Sequence, residues 1–483
     1  MFTLVLAILL YSSIICMVFA YFMDEINLYF LSLLLIFLFS IIYSVKNLKK
    51  NIVLFLFLIT FFVFLLGRYF VEFLHGGEWW KRVSTEMIIP DGIIIKTFVI
   101  LYFSLLSLIF GHWMAGKIKI KFAFNKTRPR ETNIMRENIR LISAIIFWLT
   151  YIGGITNTLY KLIYIKNNSY LSYYTEYEGN ALLSILENIN TVSFFMYLAT
   201  LPPMKKTLVY LFFYLFANLL TILTGIRGNA VIAILIVIFY CYYREKYKED
   251  ANERWFSKKI LWISILLLPF GLVFLKALTF IRAGISYNNL SFWDLFLGFF
   301  QGTGGSGNLI SYALLYNDEL PSTNVSYVFG PIINLIKDYQ LFGLVFSAET
   351  YSGNSIEYAL YGNSFSHTIS YLVLKNAYLR GRGLGSSYIA ELYVDFGVVG
   401  IIVFNIILGY ILYKYSNLKQ YKIWQLSLLL LILNSIFFMS RASALNWLIL
   451  IFRETTILTI LSIYLLSIML SKRYKKLGKK INY

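Results

Sequence analysis

Twelve apolar runs, most of them close to 20 residues long, leave this chain almost no way to fold in water. They lie at about 2–22, 28–45, 52–67, 93–112, 141–160, 182–201, 208–224, 229–243, 260–280, 398–413, 423–440 and 447–471. A helix of about 20 residues crosses the roughly 30 Å hydrocarbon layer, and lipid offers no partner to an unbonded amide. The pattern therefore predicts an all-α polytopic membrane protein with about 12 transmembrane helices and one large external loop. Composition agrees where it matters. Only 14% of residues are charged, and 42 Phe with 39 Tyr exceed what a soluble globule could bury. A cytosolic enzyme, a disordered chain and a collagen-like repeat are excluded. The first run is followed by Met23, Asp24 and Glu25 with no small-residue cleavage site, so it is expected to be a retained helix.

Charge placement gives the expected orientation. The net charge is +19. Its Lys and Arg residues gather in alternate loops, at 46–50, 117–140, 205–206, 244–259 and 414–422, and in the tail. Basic loops face the cytoplasm, so both termini are expected there. Anionic inner-leaflet lipid then accounts for the positive balance, and nucleic acid is not needed. The segments left outside are 68–92, 161–181 and 281–397. We accordingly expect an N-terminal bundle over 1–280, a large extracytoplasmic loop over 281–397 and C-terminal helices with a basic tail over 398–483. Stretches such as Phe292–Phe300 and Val328–Ile336 are expected to form amphipathic helices roofing a cavity. Pro269 should kink the ninth helix.

Few residues are left for chemistry. Cys16 and Cys241 lie in apolar runs, and the histidines are only His75, His112 and His367. No disulfide framework, thiolate zinc site or HExxH motif is available, and no metal or other cofactor is expected. Gly302-Thr303-Gly304-Gly305-Ser306-Gly307 fits G-x-G-x-x-G but follows no buried strand, so it reads as a flexible joint. Residues 380–400 are more informative. Gly383 and Gly385 alternate with Arg382 and Leu384, Ser386 follows, and a helix then carries Glu391, Tyr393 and Asp395. Backbone N–H groups and guanidinium forks suit an anion, with Glu391 and Asp395 four residues apart on one helix face.

Arginines at outer helix ends run against the charge bias and need a reason. Arg227 sits in the turn Thr224-Gly-Ile-Arg-Gly-Asn229 before a helix N-terminus. Arg282 ends the ninth run, Arg441 ends the eleventh, and Lys276 lies inside the ninth, where it must snorkel, pair or line a cavity. His367 has the side chain for a general base; a hydrogen-bonded structural histidine is the alternative. Trp79-Trp80 before Lys81-Arg82 reads as an interfacial belt, and Arg453-Glu454 as a self-neutralising pair.

At these residues the chain resembles the bacterial O-antigen polysaccharide polymerases, the Wzy family. The likeness rests on many spans with one large external loop before the last helices, Gly-Ile-Arg-Gly at 225–228, Gly-Asn-Ser-Phe-Ser at 362–366 and the stretch Gly383–Gly400. It implies a metal-independent glycosyltransferase that moves a growing glycan from polyprenyl diphosphate onto a lipid-linked repeat unit at the outer face of the cytoplasmic membrane. Its expected partners are polyprenyl-diphosphate-linked oligosaccharides, membrane lipids, a chain-length regulator and a flippase. Arg227, Arg282, Arg380, Arg382 and Arg441 would hold the diphosphate. Gly383, Gly385, Ser386 and Tyr393 would form a substrate loop, with Glu391 and His367 as candidate proton acceptors. An O-antigen ligase-type transferase, or a lipid-linked oligosaccharide flippase or transporter, is the alternative.

Overall fold

The computed structural model describes residues 2–118, 132–168, 170–225, 227–247, 253–255, 258–282, 286, 289–323, 326–338, 351–417 and 422–481. Side chains of 258–265, 282 and 473–481 lie outside the description. Among the described residues the regular structure is helical throughout, with no strand. The twelve apolar runs fall on helical segments, the last of them divided at Arg453, and among the described residues ten helices are long and apolar enough to cross a membrane. The seventh run lies on Met204–Leu220, which is 17 residues. The ninth lies on Lys258–Arg282, which keeps Pro269 inside it.

Two compact units divide the chain. The first comprises Met1–Ile120, Leu268–Leu418 and Phe437–Asn446, so the loop after the ninth helix folds with the first helices of the chain. Its centre is the pair Asp91–Lys117 and Tyr388–Asn417. These backbones approach closely because both offer glycine. A Cβ on Gly111 would stand 2.0 Å from the Ile406 carbonyl oxygen, and one on Gly409 2.0 Å from that of Leu108. The helix starting at Tyr388 breaks at Gly397, whose φ of 62° suits the residue without a Cβ. Trp79 departs from the belt expected of it. It is buried against Phe30, Phe73 and Phe98, and its Nε1–H donates to Asn27 Oδ1 at 2.9 Å.

The second unit comprises Lys121–Leu267, Lys419–Ile436 and Trp447–Tyr483. Asn133–Asn167 packs along Ala181–Ala199, where Asn157 donates to Glu187 at 2.6 Å and Lys161 pairs with it at 3.5 Å. Arg453 does not simply neutralise Glu454. The helix is interrupted at Arg453, and its Nη1 donates to Asn188 Oδ1 at 2.8 Å.

Candidate functional site

In the first unit, three basic side chains meet glycine-rich backbone at the end of one helix. Ser291 and Asp294 start that helix, Phe292–Thr303, with a reciprocal capping box, and the glycine-rich stretch ends it. That stretch is not a flexible joint. Gly304–Gly307 is a 3₁₀ turn, buried at Gly304, Ser306 and Gly307. It is pressed against another chain segment. A Cβ on Gly304 would lie 2.3 Å from the Arg68 backbone nitrogen, and one on Gly307 2.4 Å from the Leu65 carbonyl oxygen. Glycine is required here because a backbone occupies the space a side chain would need.

The opposing segment is irregular in its own right. Leu48–Phe61 runs into a π turn, Phe62–Leu66, before the helix resumes over Gly67–Leu74. A π turn adds a residue and rotates the next turns of the helix, and such turns recur at functional sites. Arg68 comes directly after it. Its Nε donates to the Gln301 carbonyl at 2.7 Å and its Nη1 to the Val83 carbonyl at 3.1 Å. Arg441 reaches the same helix end from the chain's far side, with Nη1 donating to the Thr303 carbonyl at 3.2 Å. Lys276 lies alongside. A Cβ on Gly298 would meet its Cε at 3.0 Å, and one on Gly302 its Nζ at 3.6 Å. Cations at a helix C-terminus offset its dipole; here three converge on one. Glu72 supplies the local negative charge, accepting from Gln301 Nε2 at 2.6 Å and pairing with Arg82 at 3.2 Å.

Arg441 is held in place through Glu391. The Glu391 carboxylate is fully buried. Oε1 accepts from Ser386 Oγ at 2.6 Å, and Oε2 accepts from the Ala444 N–H at 2.9 Å. One side chain thus ties the loop carrying Gly383 and Gly385 to the segment carrying Arg441. Asp395, its expected face-mate, accepts instead from the Tyr327 and Val328 N–H groups, at 3.2 and 2.8 Å, and from Ser326 Oγ. The hydroxyls of Ser306, Ser387 and Ser440 are buried and find no partner among the described residues. Each adjoins one of these contacts in sequence.

The expected site residues fall in several places. Arg382 is exposed and pairs with Glu86 at 2.6 Å, three residues beyond the Val83 carbonyl that holds Arg68. Arg380 is exposed, and Tyr393 is half-buried. Gly383 and Gly385 look onto open space, and Gly385 has a φ of +84°. Leu384 N–H between them donates to Ser370 Oγ at 2.9 Å, which binds the loop to the helix of His367. Arg227 belongs to the second unit, where it caps the helix Gly228–Lys246. Arg282 ends its helix, and its side chain lies outside the described residues.

His367 has a defined setting. Its Nδ1 lies 2.9 Å from the Tyr378 hydroxyl, which donates to the Ser355 carbonyl at 3.1 Å. The phenol oxygen therefore accepts from Nδ1–H, leaving Nε2 as the basic atom. Tyr358 stacks on the ring at 3.8 Å. Burial pushes the imidazole down from its ordinary 6.5 to about 4, so it is neutral near pH 7.

Nothing in the sequence sets Arg68 apart. A lone arginine near the end of an apolar run reads as an anchor, and only the companions brought by the fold set it apart. Comparison with known proteins places the chain. A family model, O-antigen polysaccharide polymerase Wzy, matches residues 1–474. No curated protein and no solved structure matches it.

Proposed function

The chain belongs to the O-antigen polysaccharide polymerase Wzy family, and from that premise we propose how its residues join lipid-linked repeat units. It is a multi-pass membrane enzyme, a polymerase of the glycosyltransferase kind acting on lipid-linked repeat units. In our reading the donor glycan arrives on a polyprenyl diphosphate at the outer face of the cytoplasmic membrane. Arg68, Arg441 and Lys276 receive the diphosphate. The observation that carries this is the fixing of both guanidiniums by backbone carbonyls at one helix end.

The chemistry follows from that placement. The acceptor hydroxyl oxygen attacks the anomeric carbon and forms the new C–O bond. The bond from that carbon to the diphosphate oxygen breaks, and its electron pair leaves with the phosphate. Negative charge grows on the leaving group, and guanidiniums already in place stabilise it without reorganising. The buried hydroxyls of Ser306 and Ser440 offer further donors. The hydroxyl proton passes to Nε2 of His367. A single displacement inverts the anomeric centre. Glu391 positions rather than reacts, since both its oxygens are engaged. Arg382 and the loop at 383–386 steer the acceptor.

Purified protein in lipid nanodiscs, given lipid-linked repeat units, should build a ladder of products, and EDTA should not stop it. Transfer of a single finished glycan to a different acceptor would favour a ligase. Movement of the lipid-linked unit across the bilayer without bond formation would favour a flippase.

A further inference from the structure

A row of rings leads to His367. Tyr361, Tyr351, Tyr358 and His367 follow one another with interplanar angles of 30°, 27° and 17°. The centroid separations are 6.4, 6.4 and 3.8 Å. Many aromatic neighbours in a folded chain meet edge to face; here each ring of the row lies within about 30° of parallel to the next, which calls for a reason. Among the described residues, these rings are not members of the local core. That core is Ala359, Leu374 and Tyr378, backed by Tyr371, Val373, Ala377 and Leu384. Tyr361 is 47% exposed, while Tyr351 and Tyr358 are half-buried. Tyr358 and Tyr361 stand three apart on the helix Ile356–Tyr361 and so share a face. Exposed Glu357 lies between them in sequence and adds a carboxylate.

We propose that this row is the acceptor-glycan subsite, binding pyranose rings by their C–H faces on Tyr361 and Tyr351 and delivering the terminal hydroxyl to His367, which Tyr358 backs by stacking on it. A pyranose has an apolar C–H face and a rim of hydroxyls. An aromatic face is electron-rich and attracts polarised C–H bonds. Flat stacking leaves the hydroxyl rim free for groups such as Glu357 and for water. It tolerates several sugars, as a polymerase extending a repeating glycan requires. The row ends at the group assigned the acceptor's proton. That the glycan belongs to a lipid-linked repeat unit rests on the polymerase reading above; the stacking subsite itself does not.

The test uses full-length protein in nanodiscs and the oligosaccharide released by mild acid from lipid-linked repeat units. Tyr361→Ala and Tyr351→Ala should each raise its Kd, read by saturation-transfer NMR, about tenfold, in line with the loss of one stacked ring. The KM for lipid-linked acceptor should rise likewise, with kcat within about twofold. Tyr361→Phe should retain both, because the ring face is what binds. Thermal unfolding monitors the fold of each variant. Unchanged Kd and KM in both alanine variants, with polymerisation intact, would overturn the subsite and leave the polymerase standing. Binding that depends on Tyr361 in a protein that makes no ladder would support the subsite and remove the polymerase reading.

Discussion

Replacing Glu391 by Gln separates a positioning carboxylate from a proton acceptor. An amide has nearly the same shape, one oxygen and two donors. Its oxygen can accept from the Ala444 N–H, and its nitrogen can donate to Ser386 Oγ, whose hydroxyl then turns to a new acceptor. The loss is limited to charge assistance in two bonds, about 1 kcal/mol of stability. Glu391→Ala is a different perturbation. It strands a buried N–H and a buried hydroxyl, at about 1–3 kcal/mol each, and opens a void. We expect a total loss of about 3–6 kcal/mol and displacement of Arg441. Polymerisation rates on purified repeat units, with thermal unfolding on the same samples, check both. Glu391→Gln should keep kcat/KM within about tenfold of the parent, whereas His367→Gln should lose about 10²–10⁴, the usual contribution of a general base. A well-folded Glu391→Gln protein that loses that much while His367→Gln stays active would refute the assignment and return the proton to the carboxylate.

Other outcomes rest on the same geometry. Arg68→Lys keeps the charge but not the fork that spans the Gln301 and Val83 carbonyls, so kcat should fall about 10²–10³-fold with little change in acceptor KM. His367, held near 4, should place the acid limb of kcat/KM near pH 4 rather than 6.5. The same shift makes stability fall with pH. The unfolded chain takes up a proton below its ordinary 6.5 that the folded chain refuses until about 4, so stability present above 6.5 is lost across that window. His367→Gln should flatten that part of an unfolding-versus-pH series. Gly304→Ala puts a methyl 2.3 Å from the Arg68 nitrogen, and should lower the unfolding temperature and abolish the ladder, whereas Gly383→Ala, facing open space, should fold normally.

The membrane architecture was legible because it depends on run length and charge bias, which are local. All twelve runs fall on helical segments, since about 20 apolar residues have one stable conformation in lipid. The features that escaped were set by approach between distant segments. The glycines at 302–307 read as a hinge because the sequence does not say which segment lies against them. The answer is a π turn some 240 residues earlier, and its geometry has no compositional sign. Their spacing puts Glu391 and Asp395 on one helix face, as a pair of carboxylates beside an anion site. Each instead binds a different stretch of backbone, at 444 and at 327–328. The sequence did single out Arg382, His367, Glu391 and Arg441, which the fold joins through backbone and hydroxyl contacts in one unit.

On the proposed reading, the way the cations are held suits transfer from a diphosphate. A free arginine side chain loses about 2 kcal/mol of rotamer entropy when a ligand fixes it. Arg68 has met that cost in folding, through two carbonyls, and Arg441 is fixed through another. These contacts are to carbonyl oxygens, which orient each guanidinium along the helix end. Substrate binding then loses less to ordering the arginines than it would with mobile ones, and the field is already oriented when the anomeric bond begins to lengthen. The same logic explains the buried carboxylate at 391. It holds the segment of Arg441 by its Ala444 N–H, three residues away, close enough to fix the guanidinium's origin.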